Sequence, residues 1–295
     1  MTNDSASFEY PCTSKFVLAV YLPMVILYAF VISIFVIYRR TIYSNSFYVI
    51  VITLGLVDII CALYIGIYAP IAHITNSYPF GIVADKLFAT TAIICYQASI
   101  ACQIVLALNR CVSVTYWHKY FTIFSLKNTI MILTVLNSML LVPNIMFYAA
   151  RPVVTNLDGM YPQFIAPDPL TALVTRFDFW WHLAVSVMIV ILHLILLVIS
   201  RQRTHVCTLN DAELHRARKE FVLVVQGCMV GIALLLENIA FASKCTVAIV
   251  IGKVLYSGSN PIIYLILDKR LRISVKCLLS AKNSITVTFL TNTRC

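Results

Sequence analysis

The chain has 295 residues, of which 61% are hydrophobic and 12% charged, with ten cysteines and a formal net charge of +10. At a mean hydropathy of +0.89 a water-soluble domain of this length has nowhere to hide its apolar surface, which excludes the soluble classes. A basic face beside anionic lipid accounts for the positive charge, so no nucleic-acid partner is expected.

Seven apolar runs long enough to cross a bilayer can be drawn: residues 16–38, 47–69, 87–114, 130–150, 179–200, 221–242 and 246–267. The expected fold is an all-α seven-transmembrane bundle at 16–267. An outer tail (1–15), a membrane-surface helix (268–280) and a cytoplasmic tail (281–295) flank it. Of the 22 Lys and Arg, 16 fall on one side: Arg39 and Arg40, then Arg110, Lys119 and Lys127, then five between Arg201 and Lys219, then six from Lys269 to Arg294. The positive-inside rule puts that side in the cytosol and the N-terminus outside. Asn3-Asp4-Ser5, the one glycosylation sequon, lies in the predicted outer segment. Residues 1–11 are polar with no basic start, so the first span is expected to act as its own signal.

The first span has no charge and stops at Arg39-Arg40. The second carries Asp58 near its middle. A carboxyl at that depth costs several kcal/mol unless it faces the bundle interior, and two readings stay open: a polar functional site, or a protonated structural Asp. The outer loop 73–85 holds the turn residues Asn76, Pro79 and Gly81. The third span ends in Asn109-Arg110, where the Arg taken alone reads as a snorkelling anchor. The fourth has few polar or breaking features beyond Asn137, Ser138 and Pro143, and the loop 151–178 after it holds Asp158, Asp168 and Asp178. Phe179-Trp180-Trp181 opens the fifth span as an interfacial aromatic belt, and His182 and His193 on it read as packing histidines.

The basic stretch 201–220 reads as a helical extension with a partner-facing surface. Glu237 and Asn238 stand about one and a half turns below the outer end of the sixth span. Lys253 stands two turns above Pro261 in the seventh, and a Glu237–Lys253 ion pair at the floor of an outer cavity is expected, against separate snorkelling. In Ser257-Gly-Ser-Asn260-Pro261-Ile-Ile-Tyr264 the proline frees a backbone carbonyl that side chains or water must satisfy. Beyond it, Leu271, Val275, Leu278 and Leu279 share one face of a basic amphipathic helix, with Cys277 placed for a palmitoyl chain. Most cysteines lie in apolar helices as small hydrophobes. Cys12 and Cys245 fall on the oxidising side, where a disulfide and two free thiols both stay open.

The seven spans, Asp58, Arg110, Asn260-Pro261-x-x-Tyr264 and the terminal amphipathic helix together resemble the G-protein-coupled receptors over nearly the whole chain. Leu108-Asn109-Arg110 with Ser113-Val-Thr-Tyr-Trp-His-Lys-Tyr120, and Ser46-Phe-Tyr48 leading to Gly55-Leu-Val-Asp58, are similar to the nematode serpentine chemoreceptors of the g or v kind. The resemblance implies a small odorant-like ligand, a heterotrimeric G protein as partner, and residence in the plasma membrane of sensory neurons. No cofactor is expected. Arg110 would bridge helices three and six when silent and meet the G protein when active, and Tyr264 would swing inward. Asp58, Ser99 and Asn260 match positions of a buried sodium site, whose oxygen ligands suit a hard cation. Ala92, Tyr96, Gln97, Glu237, Asn238 and Lys253 would line the ligand cavity.

The chain also departs from the pattern. Asn109 replaces the usual acidic residue, helix six lacks its tryptophan and proline, and no cysteine is placed for the common outer disulfide. Lys253 stands eight residues before Pro261 and not seven. The extra residue turns it about 100° around the helix, which argues against a retinal Schiff base. A transporter or channel is the rival reading. It would want internal repeats or a continuous polar path, and neither is visible. An enzyme is not expected, because no metal set or nucleophile with its base stands at working spacing.

Overall fold

The computed structural model describes residues 6–38, 46–157, 162–165, 168–205, 211–242, 252, 256, 260–266 and 269–280, with side chains except at 6–13, 117, 203–205, 211–220, 241–242, 269–270 and 277–280. Six helices within this set are long and apolar enough to cross a membrane. They are α1 (Ala6–Ile37), α2 (Ser46–Leu63) continued by a π-helical turn (Tyr64–Tyr68) and α3 (Ala69–Thr75), α4 (Gly81–Thr115), α6 (Leu126–Ala150), α7 (Pro169–His205) and α8 (Asp211–Ala242). A short helix α5 (Tyr120–Ile123) follows α4, and α9 (Lys269–Ser280) follows the seventh stretch, where Gly252, Tyr256 and residues 260–266 are helical. With lipid offering no hydrogen-bond partner, helices that satisfy their own backbone are the form such apolar runs must take.

The helix ends have local causes. Asn76 closes α3 in the left-handed conformation at φ 46°, and its N–H returns to the carbonyls of Ala72 and His73. Ser125 caps α6 by accepting from the N–H of Asn128 at 3.2 Å. Asp168 and Thr171 form a reciprocal cap at the start of α7: the Thr171 N–H donates to Asp168 Oδ1 at 2.6 Å, and the Asp168 N–H to the Thr171 hydroxyl at 2.8 Å. That backbone donor, with the Thr171 hydroxyl and Arg151, holds the Asp168 carboxyl below its ordinary range. The helix therefore begins well before the aromatic belt, and Asp178, which the sequence places at the end of a loop, stands on α7. The loop also folds, around a run of three β-branched residues too short to stand out as a strand. Val153–Thr155 (β1) and Pro162–Phe164 (β2) pair antiparallel, with Val154 opposite Gln163.

α4 is the axis of the bundle and packs against α2, α6, α7, α8 and β1. Towards the hairpin, Tyr64, Tyr68, Ala89, Ala92, Tyr148 and Val153 form one apolar cluster. At the opposite end Phe35, Phe47, Leu106, Tyr264 and Leu271 belong to another, so α9 is tied to the bundle through Leu271. The outward faces stay apolar, as with Ile26, Leu56, Met139 and Ile191, which suits a lipid surround. α6 buries only Thr129, Leu133 and Tyr148 among its described residues.

The π-helical turn precedes Pro70, whose ring would collide with the carbonyl one turn back in a regular α-helix; the widened turn relieves that. Gly66 in this turn lies against Tyr21 of α1, which is 1% exposed, and a Cβ there would overlap the Tyr21 ring and its own Cβ. Gly66→Ala is therefore expected to push α1 and α2 apart and cost about 1–3 kcal/mol, the range for overpacking a filled core. Thermal unfolding of the purified protein in detergent checks this, and a midpoint equal to wild type would mean the two helices separate freely.

Candidate functional site

Three groups of polar residues are stacked along α4. Nearest the hairpin is a cavity of about 200 Å³. Ala92 and Tyr96 of α4 and Glu237 and Asn238 of α8 line it, with Asp178 and His182 of α7 on a third side. Val153 and Phe164 of the hairpin also border it. Gln97 stands behind this lining and orders it: its Nε2 donates to Asp178 Oδ1 at 2.5 Å, and its Oε1 is 3.0 Å from His182 Nε2. The Tyr96 ring meets His182 edge-on at 5.1 Å between centroids. Asn238 donates to the Ser186 hydroxyl at 2.9 Å, which fixes α8 against α7.

The hairpin is held over this cavity by a buried carboxylate. Asp85, wholly buried at the start of α4, accepts the Thr155 backbone N–H at 2.8 Å and the Thr155 hydroxyl at 2.5 Å. Tyr64 and Thr155 also join hydroxyls at 2.9 Å. These contacts bind the hairpin to α4 and to the π-helical turn without a covalent link.

The middle group centres on Asp58, 2% exposed. Ser99 donates to its Oδ1 at 2.6 Å; Tyr28 and Asn260 donate to its Oδ2 at 2.7 and 3.0 Å. The hydroxyls of Ser99 and Tyr256 are 2.6 Å apart. Since the single Ser99 proton goes to Asp58, Tyr256 must donate to Ser99. Four helical stretches, α1, α2, α4 and the seventh, meet on one carboxylate. Asn260 Oδ1 is buried with no hydrogen-bond partner among the described residues.

At the far end Arg110, 3% exposed, lays its guanidinium over the Phe47 ring of α2 with Cζ 3.7 Å from the centroid. Asn109 beside it donates to the Tyr120 hydroxyl at 3.2 Å, so the residue that replaces the usual acid fastens α5 to α4. Tyr264 packs edge-on against Phe35 at 5.8 Å, and Pro261 is buried beside Asn260. On α7, His193 gives Nδ1 to the Ile189 carbonyl at 2.8 Å, and a Cβ on Gly227 would overlap its Nε2, so the glycine makes room for the ring.

The structure thus gathers Ala92, Tyr96, Glu237 and Asn238 on one cavity, with Gln97 behind it, and Asp58, Ser99 and Asn260 on one hub. His182, which its sequence context suggests is a packing residue, borders the cavity as well. Tyr28, Tyr256, Asp85 and Asp178 are the polar partners that sequence reasoning missed. The tyrosines carry no signal in a chain with sixteen of them, and Asp85 reads only as the end of a loop. Asn3, Cys245 and Lys253 lie outside the described residues, so the sequon, the Cys12–Cys245 disulfide and the Glu237–Lys253 pair do too. Cys12 and Cys277 fall in α1 and α9 with side chains outside the described set. Gly252 does mark where the seventh stretch passes α8, since a Cβ on it would stand 2.8 Å from the Glu237 Cα.

Compared with known families, residues 7–254 match the model described as serpentine type 7TM GPCR chemoreceptor Srx. The match spans most of the chain and the polar groups up to residue 254, so Tyr256, Asn260, Pro261 and Tyr264 fall beyond it. Among curated proteins no individual sequence matches. The class that matches is Srx, where the sequence motifs had suggested the g or v kind. The description is that of chemoreceptors and not of an enzyme or transporter family.

Proposed function

The chain belongs to the Srx family of serpentine seven-transmembrane chemoreceptors, and from that premise we propose that it binds a small chemical cue in the cavity beneath the hairpin and signals to a heterotrimeric G protein from the Arg110 end. The hairpin end faces outside and the Arg110 end the cytosol, in keeping with the Lys and Arg bias. The receptor resides in the plasma membrane of sensory neurons, with α9 on the inner leaflet, and Lys253 pairs with Glu237 at the cavity.

The observation that carries this reading is the order of polar groups along α4: Tyr96 at the cavity, Ser99 at the hub and Arg110 at the far end. Ser99 and Arg110 are roughly 16 Å apart along the helix axis. Tyr256 and Asn260 join the seventh stretch to the hub between them, and Tyr264 continues from it towards Phe35. A ligand acts by favouring one of two arrangements of these packed elements. In the silent arrangement the Phe47 ring holds Arg110. Moving Tyr264 and α8 frees the guanidinium for the G protein.

The hub fits a sodium ion by its chemistry. Asp58, Ser99 and Asn260 offer carboxylate, hydroxyl and amide oxygens, and Asn260 Oδ1, which has no partner among the described residues, is an acceptor suited to a hard cation. The ion would neutralise the buried Asp58 charge. The protein's own contribution is the set of donors that orient the carboxylate.

Arg110→Ala is expected to abolish ligand-dependent nucleotide exchange on the G protein in cells given a panel of small odorants, with surface expression unchanged. Phe47→Ala, which removes a cation–π contact of about 2 kcal/mol but keeps the guanidinium, is expected to raise basal exchange instead. Equal signalling by surface-expressed wild type and Arg110 variant would remove Arg110 from the mechanism.

A further inference from the structure

Family membership leaves the chemistry of the cue open, and the lining of the cavity narrows it: resting on the receptor reading above, we propose that the ligand is a small amine bound as its ammonium ion, with Asp178 as the counter-ion. No Lys or Arg lines the cavity among the described residues; its carboxyl and imidazole groups there are Asp178, His182 and Glu237. The Asp178 side chain is 37% exposed, whereas that of His182 is 5% exposed.

The hydrogen bonds decide which of these groups is left for a ligand. Gln97 gives its amide N–H to Asp178 Oδ1, so its carbonyl oxygen faces His182 Nε2, and that nitrogen must carry the proton and donate. His182 Nε2 is 3.0 Å from Gln97 but 3.6 Å from Asp178. Its proton is therefore engaged by the amide and not by the carboxylate. Asp178 is left with one neutral donor among the described residues and with lone pairs open to the cavity. A carboxylate in such surroundings favours a ligand that brings positive charge and N–H donors. Glu237 does not compete for this role, since the receptor reading assigns it Lys253.

The rest of the lining agrees. Tyr64, Tyr96, Tyr148, Phe164 and Phe179 bring aromatic rings to the cavity. Their faces attract a cation and disfavour an anion, and their bodies accommodate an apolar tail. An acid would meet the Asp178 charge and the ring faces together. An alcohol would donate to Asp178 but leave its charge unbalanced.

The test uses the full chain in lipid nanodiscs and a matched set of isoamylamine, isoamyl alcohol and isovalerate, with binding read by calorimetry at neutral pH. Isoamylamine is expected to bind at least about tenfold more tightly than the alcohol, with isovalerate weakest. Asp178→Asn should lower amine affinity by about tenfold or more and change alcohol affinity less than about twofold. Asp178→Glu keeps the charge and should keep the preference for the amine, which tests the proposal even where the Asn protein does not fold. Equal affinities, tightest binding of isovalerate, no binding of the amine, a folded Asn variant that binds the amine as wild type does, or a folded Glu variant without the preference each overturn it. Binding is read without a G protein, so any of these results leaves the receptor reading to stand or fall on Arg110.

Discussion

Replacing Asp85 by alanine is expected to detach the hairpin from α4, destabilise the protein by about 3–6 kcal/mol and weaken ligand binding at the cavity beneath. The carboxylate is wholly buried and accepts two short bonds, one from a backbone N–H and one from a hydroxyl of Thr155, itself wholly buried. Hydrogen bonds to a charged acceptor contribute about 1.5–3 kcal/mol each, and the backbone donor left without a partner costs about 1–3 kcal/mol. Asp85→Asn retains an acceptor for the N–H while the Thr155 hydroxyl turns to accept from the amide, so its cost should be about 1 kcal/mol. Thr155→Val removes a hydroxyl bonded to both Asp85 and Tyr64 but keeps the backbone N–H bond, and should fall between the Asn and Ala variants. Thermal midpoints of the three purified proteins check the order, and backbone hydrogen exchange at 153–155 and at Gln163 and Phe164 checks the place. An alanine variant with wild-type midpoint and wild-type exchange would show that the hairpin is held by something else.

This contact also explains a departure visible in the sequence. The chain lacks cysteines for the disulfide that commonly ties helix three to the second outer loop in such receptors. Asp85 and Thr155 join the same two elements through a carboxylate, close to where β1 borders the cavity. Such a bond needs no oxidising step, but it depends on both partners staying dry.

The bundle was legible in the sequence because apolar runs of about 20 residues have few alternatives in lipid, and because Asp58, Arg110 and Asn260-Pro261-x-x-Tyr264 stand at informative depths. The cavity residues on α4 and α8 followed from their placement along those runs. What stayed hidden was partnership. Nothing local distinguishes Tyr28, which donates to Asp58 across 30 positions of chain, or Tyr256, which reaches Ser99 across 157, from other tyrosines in apolar helices. The first turns of α7 stayed hidden for a different reason. Asp168 and Thr171 form the cap, but hydropathy alone finds the lipid-facing run and not the turns of helix that precede it. The hairpin had no alternating pattern to betray it, being three residues a strand and set by its contact with Asp85.

Asp58→Ala is the substitution expected to separate binding from signalling most sharply. It removes the acceptor of Tyr28, Ser99 and Asn260 together and leaves Tyr256 bonded to a serine that has lost its own partner. Hydrogen bonds between helices in a membrane contribute on average about 0.6 kcal/mol and at most about 1.7 kcal/mol, so the three direct bonds amount to about 2–5 kcal/mol. Tyr28→Phe, which breaks one of them, should cost about 0.6–1.7 kcal/mol. Asp58→Asn should fall between, since its amide accepts on one oxygen only and presents an N–H to donors already there. None of the hub residues Tyr28, Asp58, Ser99, Tyr256 or Asn260 borders the cavity. Ligand affinity should therefore change by less than about threefold in the alanine variant, while ligand-dependent nucleotide exchange falls by about tenfold or more. Radioligand or calorimetric binding measured beside exchange separates the two effects. Equal losses of affinity and exchange would show that the hub shapes the cavity and does not couple it to Arg110. Full exchange in a folded Asp58→Ala protein would show that the seventh stretch moves without the carboxylate it is bonded to.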